Sequence, residues 1–178
     1  MKKWKRLSSK ILLSHPRITV CEDIIELPSG ENTDYIYFEG DNGASTIIVI
    51  DKNNKILLQK EYSYPPNEVL FQFPGGGIKT NETPLAAAKR ELSEEANIGG
   101  DITEIGWFYT DNRRKISKMH VYVATQLTEA LGTLDEEEEL EDFWFSEKEI
   151  DELIKNQELV IYSALATWAI YKNYKQRI

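Results

Sequence analysis

Glu91, Glu94 and Glu95 stand at i, i+3 and i+4 in the run Arg90-Glu91-Leu92-Ser93-Glu94-Glu95, so on a helix they share one face. Like charges at that spacing repel, at a cost of roughly 0.2–0.5 kcal/mol per pair. A divalent cation turns that cost into a binding site, and hard carboxylate oxygens suit Mg2+ or Mn2+. The chemistry open to such a cluster is hydrolysis at phosphorus. Metal ions neutralise phosphate oxygens and lower the pKa of a bound water, and a nearby carboxylate takes its proton. Glu94 and Glu95 are therefore candidate catalytic residues, with Arg90 orienting the glutamates through ion pairs. The candidate metal ligands are Glu91, Glu94, Glu95 and the backbone carbonyl of Gly75.

The flanking sequence supplies the elements that would hold this cluster. Pro74-Gly75-Gly76-Gly77 reads as a turn whose backbone can approach a metal or a phosphate, because glycine has no side chain to obstruct it. Thr83 suits a helix N-cap and Pro84 the first helical position. Asn97 tolerates the left-handed conformation of a C-terminal cap, so the predicted helix ends there. Before it, strands are predicted at 17–27, 34–39, 46–50, 55–61 and 68–73. The continuous apolar run Thr46–Ile50 implies burial on both faces, and Asp51-Lys52-Asn53-Asn54 predicts a hairpin between the third and fourth strands. Strands at 101–110, 118–125 and 140–145 follow. Ser146 and Glu149 then form a capping box on a short helix, and a last helix runs from about Gln157 to Tyr174. The pattern is mixed α+β.

Composition bounds the function. The chain has 178 residues, enough for one substantial core. A net charge of −9 argues against general nucleic-acid binding, while leaving room for a phosphorylated small molecule neutralised by metal and local bases. No apolar stretch is long enough to span a membrane, and Ile11-Leu12-Leu13 is too short for a signal peptide. The single cysteine, Cys21, forms no internal disulfide and fits a cytoplasmic location. The bases best placed to bind a phosphate are Arg113, Arg114, Lys115 and Lys118; the competing reading is a solvated basic turn.

Taken whole, Gly76-x5-Glu82-x7-Arg90-Glu91-Leu92-Ser93-Glu94-Glu95-Ala96-Asn97-Ile98 resembles the Nudix box. This is the signature of hydrolases that cleave nucleoside diphosphates linked to another moiety. Asn97 is its one departure, standing where the family usually has glycine. The resemblance implies an α/β/α sandwich with a mixed central sheet. The residues before that core are similar to the N-terminal antiparallel sheet of the ADP-ribose and nucleoside-diphosphate-sugar hydrolases. It thus implies a dimerising extension over residues 1–45, a hydrolase domain over 46–178 and a homodimer. It also implies that a loop before the 140–145 strand supplies a further glutamate. Within Asp135-Glu136-Glu137-Glu138-Glu139 this makes Glu136 the candidate base and Glu138 the candidate extra ligand. The bland alternative is a solvated acidic loop.

The implied activity is Mg2+-dependent cleavage of ADP-ribose or a related nucleoside diphosphate sugar to two phosphomonoesters. Three positions depart from the ADP-ribose pattern: Asn112 for proline, Gln72 for glutamate and Ser63 for arginine. Dinucleoside polyphosphates, NADH or oxidised nucleoside triphosphates are the alternative substrates. A non-catalytic nucleotide-sugar sensor is the alternative of another class.

Overall fold

The computed structural model describes residues 1–40, 42–115, 117–133 and 139–177. The chain divides into two compact units, residues 1–41 with 109–117, and residues 42–108 with 118–178.

The first unit is an antiparallel sheet of β1 (Lys5–His15), β2 (Ile18–Glu26) and β3 (Asn32–Phe38), in that order. Residues 5–15 were not expected as a strand; they pair with β2 from Lys5–Glu26 to His15–Ile18, with two register shifts. Every residue of β1 is exposed, including Leu7, Ile11, Leu12 and Leu13. No apolar alternation marks such a strand, which explains why its sequence hides it. The segment 109–117 attaches to the same sheet. The amide of Phe38 donates to the carbonyl of Arg114 at 2.7 Å, and Phe38 bridges Lys115 in parallel.

The second unit holds two sheets and three helices. Its elements are β4 (Ala44–Val49), β5 (Ile56–Ser63), β6 (Glu68–Gln72), β7 (Gly75–Gly77), α1 (Pro84–Ala96), β8 (Ile98–Tyr109, whose last residue falls in the first unit), β9 (Lys118–Glu129), β10 (Leu140–Phe145), α2 (Glu147–Lys155) and α3 (Tyr162–Lys175). One sheet runs β7-β4-β9-β8, with β4 antiparallel to β7 and parallel to β9; the other runs β10-β5-β6, all antiparallel.

The predicted hairpin between the strands at 46–50 and 55–61 is corrected here: only the single bridge Ile50–Ile56 forms, and β4 and β5 enter different sheets. A strand apolar at every position must be covered on both faces, which an isolated hairpin cannot do. Ile47, Ile48 and Val49 are fully buried, Ile47 and Val49 in a cluster with Ala88 and Leu92 of α1. Ile48 instead joins Ile150 of α2 and Trp168 of α3. Helices therefore cover opposite faces of the strands, the α/β/α arrangement expected. Each such Ile, Val or Leu contributes about 1.5–3 kcal/mol through its burial.

The last helix begins at Tyr162 rather than Gln157, which sits at φ 60° and interrupts it. Ser146 and Glu149 form the expected capping box on α2. Trp168 Nε1 donates to Asp151 at 2.8 Å and Tyr171 Oη to Glu147 at 3.1 Å, tying α3 to α2.

Candidate active site

The site is built on α1 and the glycine strand beside it. Thr83 caps α1, its side chain accepting from the amide of Ala86, with Pro84 following as the first helical residue. Ser45 Oγ donates to the carbonyl of Pro84 at 2.7 Å, which fixes the first turn against β4. At the other end Asn97 adopts φ 54°, ψ 33°, the left-handed cap expected of it.

Residues 75–77 form the short strand β7 on Ala44–Thr46 rather than the turn expected. Gly75 has φ +145°, and a Cβ there would lie 2.1 Å from the carbonyl oxygen of Ser45. At Gly76 a Cβ would meet Glu91 Oε1 at 2.5 Å. Gly75 is thus required by close approach of backbone, and at Gly76 an added Cβ would displace a carboxylate of the cluster. The amide of Gly75 donates to Glu95 Oε2 at 2.9 Å, so strand and helix are joined through a candidate ligand.

Arg90 is the hub. Its Nε and Nη2 donate to the two oxygens of Glu82 at 2.9 and 3.0 Å, and Nη2 also reaches the carbonyl of Gly77 at 2.9 Å. Nη1 lies 2.8 Å from Glu91 Oε1 and 2.9 Å from Glu94 Oε2. The hydrogen bonds from Arg90 hold the Glu82 carboxyl down at about 2 against the effect of burial. Burial pushes the Glu91 carboxyl up, Arg90 pulls it back, and the charge of Glu94 adds to the rise. Three carboxylates thus surround one guanidinium, an excess of negative charge on a half-buried surface.

Among the described residues, no three His, Cys, Asp or Glu side chains converge as a finished metal cage, and Arg90 Nη1 stands 2.8 Å from Glu91 and 2.9 Å from Glu94. The donor set nevertheless fits a hard divalent cation: all its atoms are oxygens, and a side-chain-free glycine faces Glu91. Glu136 and Glu138 lie outside the described residues. Arg113 and Arg114 lie in the first unit, where Asp111 Oδ1 accepts from both of their amides at 2.9 and 3.0 Å. Arg114 Nη1 donates to the carbonyl of Ile36 at 2.6 Å, with its guanidinium 5.3 Å from the ring centre of Tyr35. The carbonyl of Arg113 accepts from Tyr35 Oη. Lys118, in the second unit, lies 4.3 Å from the ring centre of Trp107.

Sequence reasoning missed Gln59, which is fully buried in β5. Its Nε2 donates to Asp142 Oδ1 at 3.0 Å and reaches the backbone carbonyl of Glu95 at 3.4 Å, linking β10 to the end of the box helix. The available signal was one amide after the apolar run Ile56-Leu57-Leu58. Asn97 was read only as a cap. Its Oδ1 also accepts from the amide of Gly132 at 3.3 Å, a bond that glycine in its place could not make.

A model of the NUDIX domain matches residues 41–165, and the chain belongs to that family. It is a Nudix hydrolase. It is 26% identical over 169 residues to an ADP-ribose pyrophosphatase of Bacillus subtilis (strain 168), covering 93% of this chain and 90% of the relative. It is 30% identical over 139 residues to a methanol dehydrogenase activator of Bacillus methanolicus, covering 75% and 74%. The fold matches the crystal structure of an ADP compounds hydrolase with a TM-score of 0.88 at 20% identity, over 99% of this chain and 96% of the other. No described helix is long and apolar enough to cross a membrane.

Proposed function

We propose that the chain hydrolyses the diphosphate linkage of ADP-ribose or a related nucleoside diphosphate sugar, releasing a nucleoside monophosphate and a sugar phosphate, with Mg2+ or Mn2+ as cofactor. The observation that carries this reading is the set of glutamates around Arg90, packed against a glycine strand that leaves open backbone beside them. The relationship to the Bacillus subtilis ADP-ribose pyrophosphatase, which spans nearly both chains, supports the substrate class.

Glu91, Glu94 and Glu95, with backbone from Gly75, would hold the cation. Bound there, it would supply charge neutralisation at the diphosphate and acidify a water. Arg90 orients Glu91 and Glu94, and Glu82 in turn fixes Arg90. The amide of Gly75 sets the position of the Glu95 carboxylate. The acidic run supplies the base, Glu136, and a further ligand, Glu138. Within the second unit Lys118, beside Trp107, offers positive charge to substrate phosphate; within the first, Arg113 and Arg114 are the candidate phosphate binders.

Residues 1–45 form a dimerising extension of a hydrolase domain over 46–178, in a cytoplasmic homodimer. The exposed Leu7, Ile11, Leu12 and Leu13 of β1 support this. A monomer by light scattering at micromolar concentration would refute it.

The test of the activity is phosphomonoester release with Mg2+ or Mn2+ from ADP-ribose, other ADP- and GDP-sugars, NADH, diadenosine polyphosphates and 8-oxo-dGTP. Rapid cleavage of a sugar-linked member, abolished in Glu95→Gln, is expected. Cleavage of the triphosphate alone, or an unchanged rate in the variant, would overturn the reading.

A further inference from the structure

The sheet β10-β5-β6 has two unlike faces. Ile56, Leu58 and Phe71 turn one face to the core beneath α2 and α3. The other face carries a polar row, Asp142 opposite Gln59 opposite Gln72, with Glu61 two residues beyond Gln59 and paired to Leu70. Gln59 in this row touches the last turn of the box helix through the carbonyl of Glu95, and Gln72 lies three residues before Gly75. The row therefore runs from the candidate metal site out along the sheet. It ends in a cavity of about 250 Å3 lined by Glu61, Tyr62, Ser63, Leu70, Gln72 and Ile161, among others.

The polar chemistry of this cavity centres on one carboxylate, Glu61. Gln72 Nε2 donates to Glu61 Oε2 at 2.5 Å. Among the described residues, Glu61 has no cation partner, and its other oxygen receives no hydrogen bond. The nearest lysine in the strand, Lys60, points to the opposite face, 4.8 Å from the centre of the Phe71 ring. An ionised carboxylate accepts and never donates, so Glu61 calls for donors, while Gln72 keeps a second amide hydrogen and the Ser63 hydroxyl can donate or accept. What such a surface recognises is a neutral group rich in hydroxyl donors, and what it repels is another phosphate. The volume lies below the roughly 300–1,000 Å3 typical of drug-sized ligands, a size suited to one sugar ring.

We propose that Glu61 and Gln72 form a subsite for the hydroxylated, uncharged moiety beyond the scissile diphosphate, with Glu61 excluding a terminal phosphate. This rests on the hydrolase reading given above and deepens it: it selects sugar-linked diphosphates over nucleoside triphosphates and dinucleoside polyphosphates. Neither residue touches the reacting phosphorus, so both act on specificity.

The experiment compares wild type with Glu61→Leu and Glu61→Gln on ADP-ribose, on an ADP ester of a simple alkyl alcohol, and on ATP. In Glu61→Leu the ratio of kcat/KM for ADP-ribose to that for the alkyl ester falls at least tenfold. In Glu61→Gln the ratio of kcat/KM for ATP to that for ADP-ribose rises. The side-chain amide resonances of Gln72, in 15N-labelled protein assigned through Gln72→Leu, shift on adding ADP-ribose and not on adding AMP. Ratios within twofold of wild type would overturn the subsite even where ADP-ribose is cleaved well, as would Gln72 resonances that ignore ADP-ribose. A wild type that binds ADP-ribose with the Gln72 shift yet cleaves no diphosphate would overturn the hydrolase reading alone.

Discussion

Replacing Arg90 with methionine should unfold the site from its centre. Methionine keeps much of the volume and removes the charge. The side chains involved are mostly buried: Arg90 is 19% exposed, Glu82 14%, Glu91 10% and Glu94 27%. Removing one partner of a buried ion pair costs about 3–5 kcal/mol, because the other charge is left uncompensated. Glu94, the most exposed member, recovers some hydration, which places the expected loss at about 3–4 kcal/mol. For a chain of this length each kcal/mol moves Tm by about 2–4 °C, so in EDTA the variant should melt roughly 6–16 °C lower. The same carboxylates then face a cation without competition from the guanidinium. Saturating Mg2+ should therefore narrow the gap to wild type. The assay is thermal or urea unfolding followed by circular dichroism, in EDTA and in Mg2+. A loss below about 1 kcal/mol in EDTA would refute the buried-hub reasoning. A gap that Mg2+ leaves unchanged would refute the idea that cation and guanidinium share ligands.

Gly76→Ala places a methyl 2.5 Å from Glu91 Oε1, so it should weaken Mn2+ binding at least tenfold in a calorimetric titration, and affinity equal to wild type would count against the proposed ligand. Asn97→Ala forces alanine into the left-handed region and should cost about 1–2 kcal/mol in urea unfolding. Asn97→Gly should cost less, and equal losses would show that backbone conformation is not the issue. Glu149 has its carboxyl held down at about 2, first by Lys55 and then by Ser146, against an ordinary value of 4.5. Its contribution is complete above about pH 4.5 and is lost as pH falls toward 2. Glu149→Gln should therefore reduce the fall in urea midpoint between pH 5 and pH 2, and an identical fall would refute this.

Much of the candidate site was legible because it is local. Thr83, Pro84 and Asn97 bound α1 through contacts within a few residues of themselves, and the helical repeat alone puts Glu91, Glu94 and Glu95 on one face. The run Thr46–Ile50 announced a strand buried on both sides for the same kind of reason. The sequence could not decide which neighbours that strand takes. β4 leaves β5 after one bridge and pairs with β9, some seventy residues away in the chain, because only strands and helices from distant segments can cover both its faces.

The cavity was equally invisible: the sequence marks Gln72 only as a departure from a family pattern and Glu61 not at all, and antiparallel register alone sets them on one face. The segment 113–115 shows the converse. Its composition reads as a phosphate site, and the fold adds what no composition encodes: Arg114 Nη1 donates to the carbonyl of Ile36, and the Arg114 carbonyl accepts from the amide of Phe38. Local spacing and propensity thus determined the box helix, its caps and its charges. Long-range pairing alone decided what surrounds them, since register and burial depend on residues that the chain brings together only when folded.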